Sequence, residues 1–85
     1  MIYQIELKQS AKKEFLALSN TLQIRISNAI DELATNPRPG GCKALKGAKN
    51  AFRIRIGDYR VVYEIHAAIL TILIIRIAHR REVYR

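Results

Sequence analysis

From Phe52 to Ile56 apolar and cationic residues alternate without a fault, as Phe-Arg-Ile-Arg-Ile. Period two marks a strand with one buried and one open face, so Arg53 and Arg55 lie opposite Phe52, Ile54 and Ile56. Gly57-Asp58 is a tight-turn pair, and the next run, Tyr59–His66, is predicted to fold back antiparallel. There Arg60, Val62, Glu64 and His66 share one face, and Tyr59, Val61, Tyr63 and Ile65 the other. After a weaker connection at Ala67-Ala68, Ile69–Ala78 is apolar on both faces, as a central strand is.

The first half of the chain keeps a different period. Ile2–Leu7 alternates imperfectly and reads as a short strand. Ala11, Phe15 and Leu18 then recur at helical spacing, with Ser10 as the expected N-cap. Ser19-Asn20 interrupts that helix. Asn20 is expected to cap a second one, with Gln23 returning the hydrogen bond. Leu22, Ile26, Ala29, Ile30 and Leu33 form one stripe of this helix, which is predicted to stop at Asn36-Pro37. Residues 37–50 read as a loop, with two prolines, three glycines and Lys43, Lys46 and Lys49 spaced through it. The order is β-α-α-β-β-β in a single domain spanning residues 1–85. That is an α+β fold, an N-terminal helical hairpin packed on a mostly antiparallel four-stranded sheet.

Composition narrows the class. A hydrophobic share of 49% with 26% charged residues describes a globular chain and not a disordered one. The longest apolar run, Ala67–Ile75, falls far short of a membrane span, and the N-terminus lacks a basic-then-apolar leader pattern. A lone cysteine, Cys42, forbids an internal disulfide and fits a reducing cytoplasm; with nothing nearby to activate it, it reads as incidental. Charge is what sets the two halves apart. Residues 1–37 carry four basic and four acidic side chains, whereas residues 38–85 carry eleven basic against three acidic, which is the whole +8 of the protein. Most of those eleven are arginine, the residue suited to clamping phosphate. Because the basic half is β and the helical half is neutral, a polyanion such as nucleic acid is the expected partner, and a membrane is not.

Alternation places Arg53, Arg55 and Arg60 on one open face, where Glu64 alone cannot balance them. The tail adds His79, Arg80, Arg81, Tyr84 and Arg85, and Arg76 is expected to snorkel from the last strand. Tyr84 could be an edge aromatic, a base favoured by nearby positive charge, or a stacking platform. His79 is a candidate to move a proton. The two histidines and one cysteine have no metal-ligand spacing, and there is no phosphate-binding glycine loop or nucleophile elbow. A set of arginine, tyrosine and histidine suits cleavage of RNA, in which the substrate's own 2′-OH attacks and the protein positions phosphate and moves protons.

The segments Pro37-Arg-Pro-Gly, Lys43-Ala-Leu-Lys-Gly47, Phe52–Ile65 and His79-Arg-Arg-Glu-Val-Tyr-Arg85 together resemble the RelE branch of the RelE/ParE toxin superfamily. The resemblance covers essentially the whole chain. It implies a cytoplasmic toxin of a type II toxin–antitoxin pair, a ribosome-dependent endoribonuclease that cuts mRNA in the A site, needs no cofactor, and is held off by a cognate antitoxin. Operator DNA would be bound only with that antitoxin. Carried onto this chain, Arg53 and Arg55 stand where lysines are often found and would bind and stabilise phosphate. Arg60 would hold the scissile phosphate, Arg80 would serve the leaving 5′-oxygen, and Tyr84 would accept the 2′-OH proton. The tail is short between Arg80 and Tyr84, so Arg81 is an alternative to Arg80, and His79 is a rival acid or base. Lys43, Lys46, Lys49, Arg76 and Arg85 are further RNA contacts on this view. The other branch implies a DNA gyrase poison, and a degenerate copy would only bind its antitoxin.

Overall fold

The computed structural model describes residues 2–79 and 81. The elements are β1 (Gln4–Leu7), α1 (Gln9–Leu16), α2 (Asn20–Leu33), β2 (Lys43–Ala44), β3 (Ala51–Ile56), β4 (Tyr59–His66) and β5 (Thr71–His79), with a 3₁₀ turn at Ala67–Ile69. One five-stranded sheet has the order β1-β5-β4-β3-β2, with β1 parallel to β5 and all other neighbours antiparallel. The α+β hairpin-on-sheet architecture is the expected one, with a fifth strand. That strand, β2, lies inside the segment expected to be loop. Its two residues are too few to show any period and are held by pairing with Phe52 and Arg53.

The hairpin of β3 and β4 turns at Gly57-Asp58, with Ile56 opposite Tyr59. Gly57 has φ +59 while Asp58 does not, the pattern of a II′ turn whose twist matches the strands it joins. The β4–β5 connection is longer than Ala67-Ala68. Leu70 closes the 3₁₀ turn in a left-handed conformation (φ +48), and its carbonyl accepts the amide of Gln4, so β5 starts at Thr71.

Both helices pack on one sheet face. Val61, Tyr63, Ile72 and Ile74 are wholly buried there against Ala11, Ile26, Ile30 and Leu33. The helix starts differ from expectation. Lys8 is the N-cap residue of α1, because the chain turns into the helix directly from β1. Ser19, not Asn20, caps α2 by accepting the amide of Leu22 at 3.3 Å. Gln23 donates instead to the carbonyls of Phe15, Leu16 and Leu18, satisfying the C-terminal end of α1.

One irregularity decides what the sheet presents. Val62 pairs with Arg76 but Tyr63 pairs with Ile74, so Ile75 is an extra residue on β5. Before the bulge Ile72 and Ile74 face the helices. After it the phase reverses: Ile77 enters the core and Arg76 takes the opposite face. Among the described residues, no helix is long and apolar enough to cross a membrane.

Candidate nucleic-acid interface

On the sheet face opposite the helices, strand register assembles cations into two rows. Lys43, Arg53, Val62 and Arg76 form one row across β2, β3, β4 and β5. Arg55, Arg60 and Ala78 form the next. Directly paired residues share a face, so five positive side chains converge from four strands. A groove of about 560 Å³ at the β3 side is lined by four of them, Lys43, Arg53, Arg55 and Arg60, and walled by Pro39–Gly41; it passes Ile54 and Ile56 to reach Ala29 and Glu32 on α2.

The five cations differ in depth. Arg55 is exposed and Arg53 half-buried, but Arg60 is only 4% exposed, flanked by the small Ala78 in its row. Its Nη1 donates to the Tyr59 carbonyl at 3.4 Å. A guanidinium held this deep costs the fold desolvation, and the lower local dielectric strengthens its attraction to any anion that arrives. Arg76 Nε donates to Glu14 Oε2 at 3.3 Å, so this arginine is tied to α1. Glu64, which alone could not balance the arginines, is engaged with His66 at 2.9 Å.

The wall of the groove is anchored from the core. Tyr63 Oη donates to the Pro37 carbonyl at 2.7 Å, and Arg38 lies 5.2 Å over the Phe52 ring, which stacks on Tyr63. Burial, reinforced by the neighbouring Cys42, pushes the Tyr63 phenol far above its usual range, so it serves as a fixed donor. Cys42 is half-buried against the core.

Of the residues singled out from sequence, Arg53, Arg55, Arg60 and Lys43 come together, and Arg76 joins them one strand away. Lys46 and Lys49 are exposed in the turn before β3 and do not line the groove. His79 is in register with Tyr59 and edge-on to its ring at 5.5 Å, on the helix-facing side and so away from Arg60. Its Nδ1 accepts the amide of the exposed Arg81 at 3.4 Å. Arg80, Tyr84 and Arg85 lie outside the described residues. Sequence reasoning missed Glu14, Glu32 and the Tyr63–Pro37 anchor. A lone acid on the first helix and a core tyrosine carry no periodic signal.

A family model described as the ParE toxin of the type II toxin–antitoxin system parDE matches residues 5–84. A RelE1 toxin homologue of Methanocaldococcus jannaschii is 30% identical over 88 residues, covering 100% of this chain and 98% of its own. The archaeal RelE–RelB complex of Pyrococcus horikoshii contains a chain of the same fold. It is 26% identical at a TM-score of 0.83, with 94% of this chain and 97% of that one covered. The antitoxin–toxin complex RelB–RelE from Methanococcus jannaschii is 25% identical at a TM-score of 0.76, with 93% and 94% covered.

Proposed function

The chain belongs to the ParE toxin family of type II toxin–antitoxin systems as a RelE-like toxin, and we propose that it halts translation by cutting mRNA in the ribosomal A site. The observation that carries this reading is the deeply seated Arg60 in a row of cations built by strand register. A ribonuclease whose substrate supplies its own nucleophile needs little more than a fixed phosphate. Arg60 holds the scissile phosphate, and its donors face charge that grows as the 2′-oxygen attacks phosphorus. Arg53 and Arg55 engage the flanking phosphates and spread that charge. Tyr84 takes the 2′-OH proton, and Arg80 or Arg81 serves the departing 5′-oxygen. The products are a 2′,3′-cyclic phosphate and a free 5′-OH, with no metal in the reaction.

In this reading the toxin acts in the cytoplasm, with the ribosome and mRNA as targets and operator DNA met only alongside the antitoxin. The relatives crystallised with RelB support an antitoxin partner. An acidic segment that folds on the cationic face would silence it.

A second reading is the one implied by the ParE branch, a poison of DNA gyrase; the matching family model carries the ParE name. Primer extension on an mRNA translated in a purified system separates the two. New 5′ ends inside codons that need ribosomes and vanish with Arg60→Ala are expected. Growth arrest without such ends, together with inhibited supercoiling, would replace the nuclease by the gyrase poison. Neither effect would leave a toxin-like chain that only binds its antitoxin.

A further inference from the structure

The ladder between β1 and β5 ends at Leu7 opposite Ile74, where the Lys8 amide donates to the Ile74 carbonyl at 2.9 Å. Past that point the β1 side of β5 meets α1 instead of a strand. One side chain takes over the pairing. Glu14 Oε1 accepts the backbone amide of Ile77 at 2.9 Å, while Oε2 accepts Arg76 Nε at 3.3 Å. A single carboxylate therefore grips both the backbone of the strand end and a cation of the groove face, just beyond the bulge at Ile75.

Glu14 is itself well placed to hold still. Ala11, one turn earlier on α1, is fully buried in the core, so the helix carrying the carboxylate is fixed by packing. Ile77 is two residues before His79, and the chain runs on from there into residues 80–85. Without the carboxylate, the end of β5 would be paired on the β4 side alone. A strand end paired on one side frays readily, and displacement on the scale of an ångström is costly where reacting atoms must be aligned.

We infer that Glu14 is a positioning residue of this toxin. It locks the end of β5 and the Arg76 guanidinium, so that this cation keeps its place in the row with Val62 and Arg53, beside the row of Arg60. The inference rests on the nuclease reading. Glu14 touches no substrate; it acts through the Ile77 amide and Arg76. Oε1 matters through its hydrogen bond, which a glutamine oxygen can also accept. Oε2 matters through charge, which glutamine lacks.

The test compares wild type, Glu14→Ala and Glu14→Gln by ribosome-dependent cleavage kinetics and by amide hydrogen exchange at Ile77. Glu14→Ala is expected to speed exchange at Ile77 about tenfold or more. It should lower kcat by about tenfold while KM for mRNA-loaded ribosomes stays within about twofold. Glu14→Gln is expected to restore protection at Ile77 and most of kcat. Faster exchange with an unchanged kcat would overturn the inference, leaving Glu14 as a brace for the fold only. A matched loss in kcat and KM would overturn it too, by making Glu14 part of ribosome binding. Should Glu14→Ala fail to fold, Glu14→Gln decides alone, since protection at Ile77 with kcat as low as that of an Arg60→Ala control would refute positioning through the amide. A wild type that cuts no mRNA sinks the nuclease reading, and the inference with it, even if Ile77 remains protected.

Discussion

The two faces of one sheet are made from neighbouring residues of the same strands and obey opposite demands. On the helix side Val61, Tyr63, Ile72 and Ile74 lose all contact with water and gain contacts with α1 and α2. On the other side Lys43, Arg53, Arg55, Arg60 and Arg76 gather like charges that repel each other. The first arrangement lowers the free energy of the folded chain, and the second raises it. The core face therefore carries the stability that the cationic face draws down, and substitutions on the two faces should separate cleanly into stability and activity.

The sharpest break comes from the core. Ile72→Ala is expected to cost about 2–5 kcal/mol, read from urea unfolding, which is much of the stability of so small a domain. Its residual folded fraction should cleave at an ordinary rate; a folded but inactive variant would show that the faces are not independent. Next in size, Arg60→Ala should lose about 10²–10³-fold in cleavage, a drop matching one preorganised donor, while its unfolding free energy from urea titration changes by less than about 1 kcal/mol. A collapse of stability instead would make Arg60 a structural residue.

The other two effects are smaller. Tyr63→Phe removes one hydrogen bond, to Pro37, and should cost about 1 kcal/mol at neutral pH. Its pH dependence has a definite sign. The folded phenol sits above its unfolded value of 10.0, so its contribution is intact below that pH and fades as pH rises beyond it. The gap between wild type and Tyr63→Phe should accordingly narrow in alkaline urea titrations; a constant gap would mean that the phenol is not the titrating group. Least of all, Arg55→Ala should lower the salt dependence of RNA binding by about 0.7 in log–log slope, as loss of one phosphate contact to a single strand does. An unchanged slope would remove Arg55 from the interface.

Much of this architecture was legible because period two and period 3.6 do not resemble each other. The Phe52–Ile56 alternation and the Gly57-Asp58 turn were enough to place Arg53, Arg55 and Arg60 on one face. Depth was not legible. Whether an arginine is exposed like Arg55 or enclosed like Arg60 depends on what stands beside it in the sheet, here Ala78 on a strand eighteen residues later. β2 escaped because two residues cannot display a period. The bulge escaped for the opposite reason: in Ile72-Leu-Ile-Ile75 every position is apolar, so a change of phase leaves no trace in the pattern. His79, a rival acid or base on sequence grounds, is turned by the same change of phase toward Tyr59 and away from Arg60.

The extra residue at Ile75 acts on the strand as a frameshift acts on a message. Everything downstream is read on the other face. Were the bulge to straighten with Ile75 taken into the ladder, Arg76 and Ala78 would turn toward the helices and Ile77 toward the groove, altering three positions without substituting any of them. Spacing, as much as residue identity, is therefore heritable information about this surface.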